Sequence, residues 1–101
     1  MNRRDLMRRR KRILARMASI DRLRRGQVSE QYYRRANKYG GTSRYGPYYI
    51  WQRWIDGRKK SERVGGEELK AIRKHTENYR QLKELFDELV EVTEELTLLD
   101  R

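Results

Sequence analysis

A chain of 101 residues, 36% hydrophobic and 41% charged, has room for one small domain with a thin core, so part of its stability is expected from a partner chain or a bound polyanion. Without cysteine it forms no disulfide and no thiolate metal site, and its single histidine, His75, makes no metal site alone. The net charge of +11 is unevenly placed: residues 1–66 hold 20 Lys/Arg against 5 Asp/Glu, and residues 67–101 hold 6 against 10, which points the first two-thirds at a polyanion and the last third at protein or solvent.

Residues 2–25 carry Leu6, Ile13, Met17 and Ile20, joined by Met7, Leu14 and Leu23, at the three, four and seven spacings of a broad apolar helix stripe. Arg8, Arg9, Arg10, Lys11 and Arg12 repel one another, so the first turns are expected to fray unless phosphate neutralises them. Gly26 is placed to end that helix. Residues 27–34 predict a first strand, with Val28, Glu30 and Tyr32 on one side and Ser29, Gln31 and Tyr33 on the other. Residues 35–44 read as a polar loop, whose glycines and Lys38 suit either backbone approach to phosphate or a plain connection.

The most informative stretch is residues 44–65. An aromatic, β-favouring run is followed by Asp56-Gly57, which accepts the positive φ values of a type I′ turn, and then by a basic run. With strands over residues 48–55 and 58–64, Tyr48, Ile50, Gln52 and Trp54 share one face and Tyr49, Trp51, Arg53 and Ile55 the other. A helix must cover one face. The expectation is that Tyr48, Ile50 and Trp54 lie mostly in the core, leaving Tyr49 and Trp51 beside Arg53 for contact.

From residue 67 to 98 the chain predicts one long helix with Glu67 and Glu68 at its positive end. Ile72, Tyr79 and Phe86 form one heptad series and Leu82, Leu89 and Leu96 another, the pattern of a coiled coil. At about 1.5 Å per residue such a helix outruns a small sheet. Its distal half must therefore pack on the N-terminal helix, on a second copy, or on another protein, with Leu82, Leu85, Phe86, Leu89, Val92 and Leu96 as the candidate interface. The expected fold is α+β: a basic helix or arm (1–25), a three-stranded antiparallel meander (26–66) and a long amphipathic helix (67–101).

With these residues in view, Gly26-Gln27-Val28-Ser29-Glu30-Gln31-Tyr32, Gly46-Pro47-Tyr48-Tyr49, Asp56-Gly57-Arg58-Lys59 and Glu77-Asn78-Tyr79-Arg80 with Leu82 and Leu85 resemble a family of short, functionally uncharacterised bacterial and archaeal proteins, often near mobile elements. Their pattern is a helix, a strand, a cysteine cluster, a Gly-Pro-Tyr-Tyr strand and a long helix with an Asn-Tyr-Arg segment. The resemblance covers residues 20–96 and implies a fold more than an activity. The family's cysteines look like a zinc knuckle, but residues 35–45 here contain none, so no metal role carries over and the loop must be ordered otherwise or not at all. Residues 56–63 are also similar, locally, to the basic strand of the arm-type DNA-binding domain of tyrosine recombinases.

The basic hairpin suits entry into a DNA groove, yet lysine and arginine also protect exposed edge strands from unwanted pairing. Aromatics interleaved with the cations favour nucleic acid, because phosphate and base then each find a partner. The expected contacts are Arg8, Arg9, Arg10, Lys11, Arg12, Arg34, Arg35, Lys38, Arg44, Tyr49, Trp51, Arg53, Arg58, Lys59, Lys60 and Arg63. DNA, RNA and a ribonucleoprotein such as a ribosome stay open as ligands. A second class is a protein-interaction module acting through the last helix, including as a homodimer. His75 and Glu77 near Tyr79 have no nucleophile or second histidine beside them, so the expectation is a non-enzymatic protein without cofactor. The basic N-terminus lacks the apolar core of a signal peptide and any tryptophan or phenylalanine to anchor it on a membrane, which points to a cytoplasmic protein.

Overall fold

A computed structural model describes residues 1–100. The order is α1 (Arg3–Ser19), β1 (Gln27–Ala36), β2 (Thr42–Ile55), β3 (Arg58–Val64) and α2 (Gly66–Leu99), an α+β chain whose three strands form an antiparallel sheet in the order β1-β2-β3. The single small domain expected from length resolves into two compact units. One holds Met1–Leu23 with residues 77–100, the other Arg24–Thr76, and α2 contributes to both. Among the described residues no helix is long and apolar enough to cross a membrane, and no group of three His, Cys, Asp or Glu could hold a metal ion.

In the helical unit, α1 and the distal part of α2 run antiparallel, with Arg3 paired to Asp100 at 2.5 Å and Asn78 Nδ2 donating to the carbonyl of Arg22. Leu6 and Ile13 pack on Leu85, Val92 and Leu96, flanked by Met17, Ile20 and Leu89. Each fully buried aliphatic side chain contributes roughly 1.5–3 kcal/mol. That matters because 17 residues are barely enough for an isolated helix in water. Of the three destinations open to the α2 seam, α1 of the same chain takes it. Leu85, Val92 and Leu96 are thus corrected from interface to internal core, whereas Leu82 and Leu89 are half-buried and Phe86 is 55% exposed.

The boundary of α1 also needs correction. The helix ends at Ser19, six residues before the expected stop, and an irregular segment leads to Gly26. Asn2 caps its start, the side-chain oxygen accepting from the Asp5 amide at 2.9 Å. Gly26 is instead a strand-entry residue: its φ is +93°, and a Cβ there would lie 2.0 Å from the Gln52 carbonyl oxygen. Only glycine fits so close to a neighbouring strand.

In the sheet unit, Ile55 pairs with Arg58 around Asp56 (φ 51°) and Gly57 (φ 77°), the two positive φ values read from the sequence. Half of the expected loop at 35–44 is strand. β1 continues to Ala36 and β2 begins at Thr42, so the hairpin tip is only residues 37–41. Asn37 orders that tip in the absence of any cysteine. Its Oδ1 accepts from the amides of Tyr39 and Gly41, its Nδ2 donates to Ser43 Oγ, and its own amide bonds the Gly41 carbonyl.

Candidate nucleic-acid interface

Residues paired across an antiparallel sheet point to the same side, so the register assigns both faces. Val28 pairs with Trp51, Trp51 with Glu62, and Tyr49 with Val64. This face is covered within the sheet unit. The Trp51 indole N–H donates to the Arg25 carbonyl at 2.7 Å, the Arg24 amide donates to the His75 carbonyl, and Arg73 of α2 lies 4.9 Å from the Tyr49 ring. Val64 and Ile72 are buried.

The opposite face carries Gln27, Ser29, Gln31, Tyr33 and Arg35 from β1, then Ser43, Tyr45, Tyr48, Ile50, Gln52 and Trp54 from β2, and Lys59, Ser61 and Arg63 from β3. None is acidic. Both carboxylates of the strands, Glu30 and Glu62, point to the covered side. On the open side Arg63 stands 4.0 Å from the Tyr48 ring, which meets Tyr33 at 5.1 Å and 58°, and Arg35 lies 6.0 Å from Tyr45. Trp54, opposite Lys59, is 66% exposed; Tyr33 and Tyr45 are 48% and 45% exposed.

The expectation fails at Trp54 and at the contact pair, while Tyr48 and Ile50 are half-buried. Trp54, assigned to the core, is among the most exposed large side chains, whereas Tyr49 and Trp51, assigned to contact, are half-buried beneath Arg73 and Arg24. The reason lies in the neighbours of β2. The aliphatic residues Val28 and Val64 pair with Trp51 and Tyr49, so the apolar layer forms there. Alternation within residues 48–55 gives two equally aromatic faces and no means of choosing.

Arg53 is corrected too. Its guanidinium lies 3.7 Å from the Trp51 ring and donates to Glu62 at 2.6 Å, so it is held inside the sheet unit rather than presented to phosphate. That contact holds the Glu62 carboxyl below its usual pKa. On the same side Tyr32 donates to Glu30, which raises the phenol pKa, and Arg44 lies 3.7 Å from the Tyr32 ring.

Arg34, Arg35, Lys38, Arg44, Arg58, Lys59, Lys60 and Arg63 are all exposed, on the sheet and its hairpin tip. Tyr32, Tyr33, Tyr39 and Tyr45 stand among the first four and were missed as contact residues; the double Tyr32-Tyr33 in a run with Arg34-Arg35 was the available signal. Arg8, Arg9, Arg10, Lys11 and Arg12 belong to the helical unit, where Arg9 reaches Glu91 at 3.9 Å. No protein-family model, curated protein or solved structure matches the chain.

Proposed function

We propose that the chain binds nucleic acid, without catalysing a reaction, through the sheet unit and its β1–β2 hairpin. The observation that carries this is the carboxylate-free face on which Arg35, Lys59 and Arg63 alternate with four aromatic rings. Charge supports it: residues 24–76 hold 14 Lys/Arg against 5 Asp/Glu, whereas in the helical unit 9 against 2 on residues 1–23 meets 3 against 8 on residues 77–101. Arg34 and Arg44 stand directly opposite each other in the ribbon. Like charges so paired are destabilising, and a phosphate between them relieves the repulsion.

The test is the salt dependence of binding to a labelled oligonucleotide. If six or more phosphates are touched, affinity falls by about 10³ or more between roughly 50 and 200 mM salt. Binding that is absent, or that ignores salt, contradicts the proposal.

A second reading, self-association, is favoured by the helical unit. At about 100° per residue from the core positions, Met7 and Leu14 of α1 and Phe86 and Val90 of α2 fall on one flank of the antiparallel pair, and all four are exposed. Beside them Leu89, Val90, Thr93, Thr97 and Leu98 line a groove of about 450 Å³. A second copy related by a two-fold axis parallel to the helices lays basic α1 along acidic α2 and closes a four-helix arrangement. Sedimentation equilibrium should then give a dimer and a monomer for Phe86→Lys; a monomeric parent removes this reading.

A further inference from the structure

We infer that the open face of the sheet is a stacking platform for unpaired bases, so that the nucleic acid taken is single-stranded. This rests on the nucleic-acid reading above and goes beyond phosphate neutralisation.

A duplex offers a protein its phosphates and the edges of its base pairs, while the flat faces of its bases are stacked away. Cations alone suffice for such a ligand. The open face has more: Tyr33, Tyr45, Tyr48 and Trp54, of which three are exposed and none is needed to close the covered layer. Trp54 is the most telling. Its cross-strand partner is Lys59, it lies at the turn end of the sheet, and an indole left in water there has no packing role to explain it. Unpaired bases present their π faces to any ring, whatever the sequence.

The spacing suits the same ligand. On one side of a strand successive positions lie about 6.6 Å apart, so Tyr48 to Trp54 spans about 20 Å. Along that span and onto the hairpin, rings and cations interleave: Arg35 by Tyr45, Arg63 by Tyr48, whose ring meets Tyr33, and Lys59 opposite Trp54. A single strand alternates base and phosphate in the same way. Gln27, Gln31, Gln52 and Ser61 offer neutral hydrogen-bonding groups at positions between the rings and cations, with Ile50 the one aliphatic residue of the face, and no carboxylate repels the backbone. The length fits on the order of four nucleotides, at the lower end of sheet-based single-strand sites. The two indoles also separate as probes. Trp51 is enclosed by Arg24, Arg53 and the Arg25 carbonyl, while Trp54 is open.

The experiment uses the full chain and labelled pyrimidine oligonucleotides of about 12 nucleotides, single-stranded or annealed into a blunt duplex, at one salt concentration. The parent should bind the single strand at least about tenfold more tightly, with quenching of Trp54 fluorescence that Trp54→Phe abolishes. Tyr33→Thr, Tyr45→Thr and Trp54→Thr keep strand-favouring residues, and each should lose about fivefold or more in single-strand affinity with the salt slope unchanged. Equal or tighter duplex binding overturns the inference, as does a triple variant with parental melting that holds the single strand undiminished; in both cases steep salt dependence leaves the nucleic-acid reading standing. Should the triple variant unfold, the parent decides, and a Trp54 indole unquenched by bound single strand sinks the platform. Salt-insensitive or absent binding to both oligonucleotides overturns reading and inference together.

Discussion

The helical and sheet units hold nearly equal numbers of cations, 12 and 14 Lys/Arg, yet differ in what surrounds them. In the helical unit the arginine-dense α1 packs on a helix rich in glutamate, and the unit as a whole carries only two more cations than carboxylates, 12 against 10. In the sheet unit 14 cations meet 5 carboxylates, and the two on the strands face the covered side. Dividing the chain at residue 66 puts the densest arginine run in the basic share. Dividing it by packing moves the uncompensated charge to the sheet. Density along a sequence is thus a poor guide to which cations stay available, because a helix can meet its counter-charge many residues later.

Substitutions in the two units should differ widely in their effects. Leu85→Ala opens a cavity in the apolar layer between α1 and α2 and should cost about 2–5 kcal/mol in denaturant unfolding, whereas Phe86→Ala, one position on and exposed, should cost little. Equal losses would mean that Phe86 is covered in solution, as a dimer requires. Next, replacing Arg34, Arg35, Lys38 and Arg44 by Gln should weaken nucleic-acid binding by about 100-fold and flatten the salt slope by roughly three. Replacing Arg8, Arg9, Lys11 and Arg12 should change affinity several-fold at most; the reverse order would return binding to α1.

Smaller effects probe local devices. Asn37→Ala removes three side-chain hydrogen bonds from the hairpin tip and should cost about 1 kcal/mol locally, visible as faster hydrogen exchange at the Tyr39 and Gly41 amides. Unchanged exchange would show the tip is ordered by other means. The smallest effect is at Glu62. Because Arg53 lowers its pKa in the folded state, the pair stabilises the fold above the ordinary carboxylate range and that contribution fades as pH falls through the lowered pKa. Glu62→Gln should flatten acid-side stability slightly, with no difference at pH values below both pKa limits.

Much of the architecture was legible in the sequence. Asp56-Gly57 specified the turn, the apolar periodicity of residues 67–98 gave α2 within a residue at each end, and the three strands appear in the expected order. What was not legible depends on partners distant in sequence. Polar residues at 35–44 suggested a loop, but Asn37 folds back on Tyr39, Gly41 and Ser43 and lets both strands continue. The choice of covered face depended on Val28 and Val64, which matter only once register places them beside Trp51 and Tyr49. The early end of α1 had no proline or glycine to announce it, since Ile20 continues the apolar pattern and packs on the core from outside the helix.

The most direct test of the central claim is a nitrogen-15 NMR titration of the full chain with an oligonucleotide. The largest shifts are expected at the amides of Tyr33, Arg35, Tyr45 and Arg63 and at the Trp54 indole N–H, with the α1 amides little changed. Shifts concentrated on Arg8, Arg9, Arg10, Lys11 and Arg12 while the Trp54 indole stays in place would contradict it.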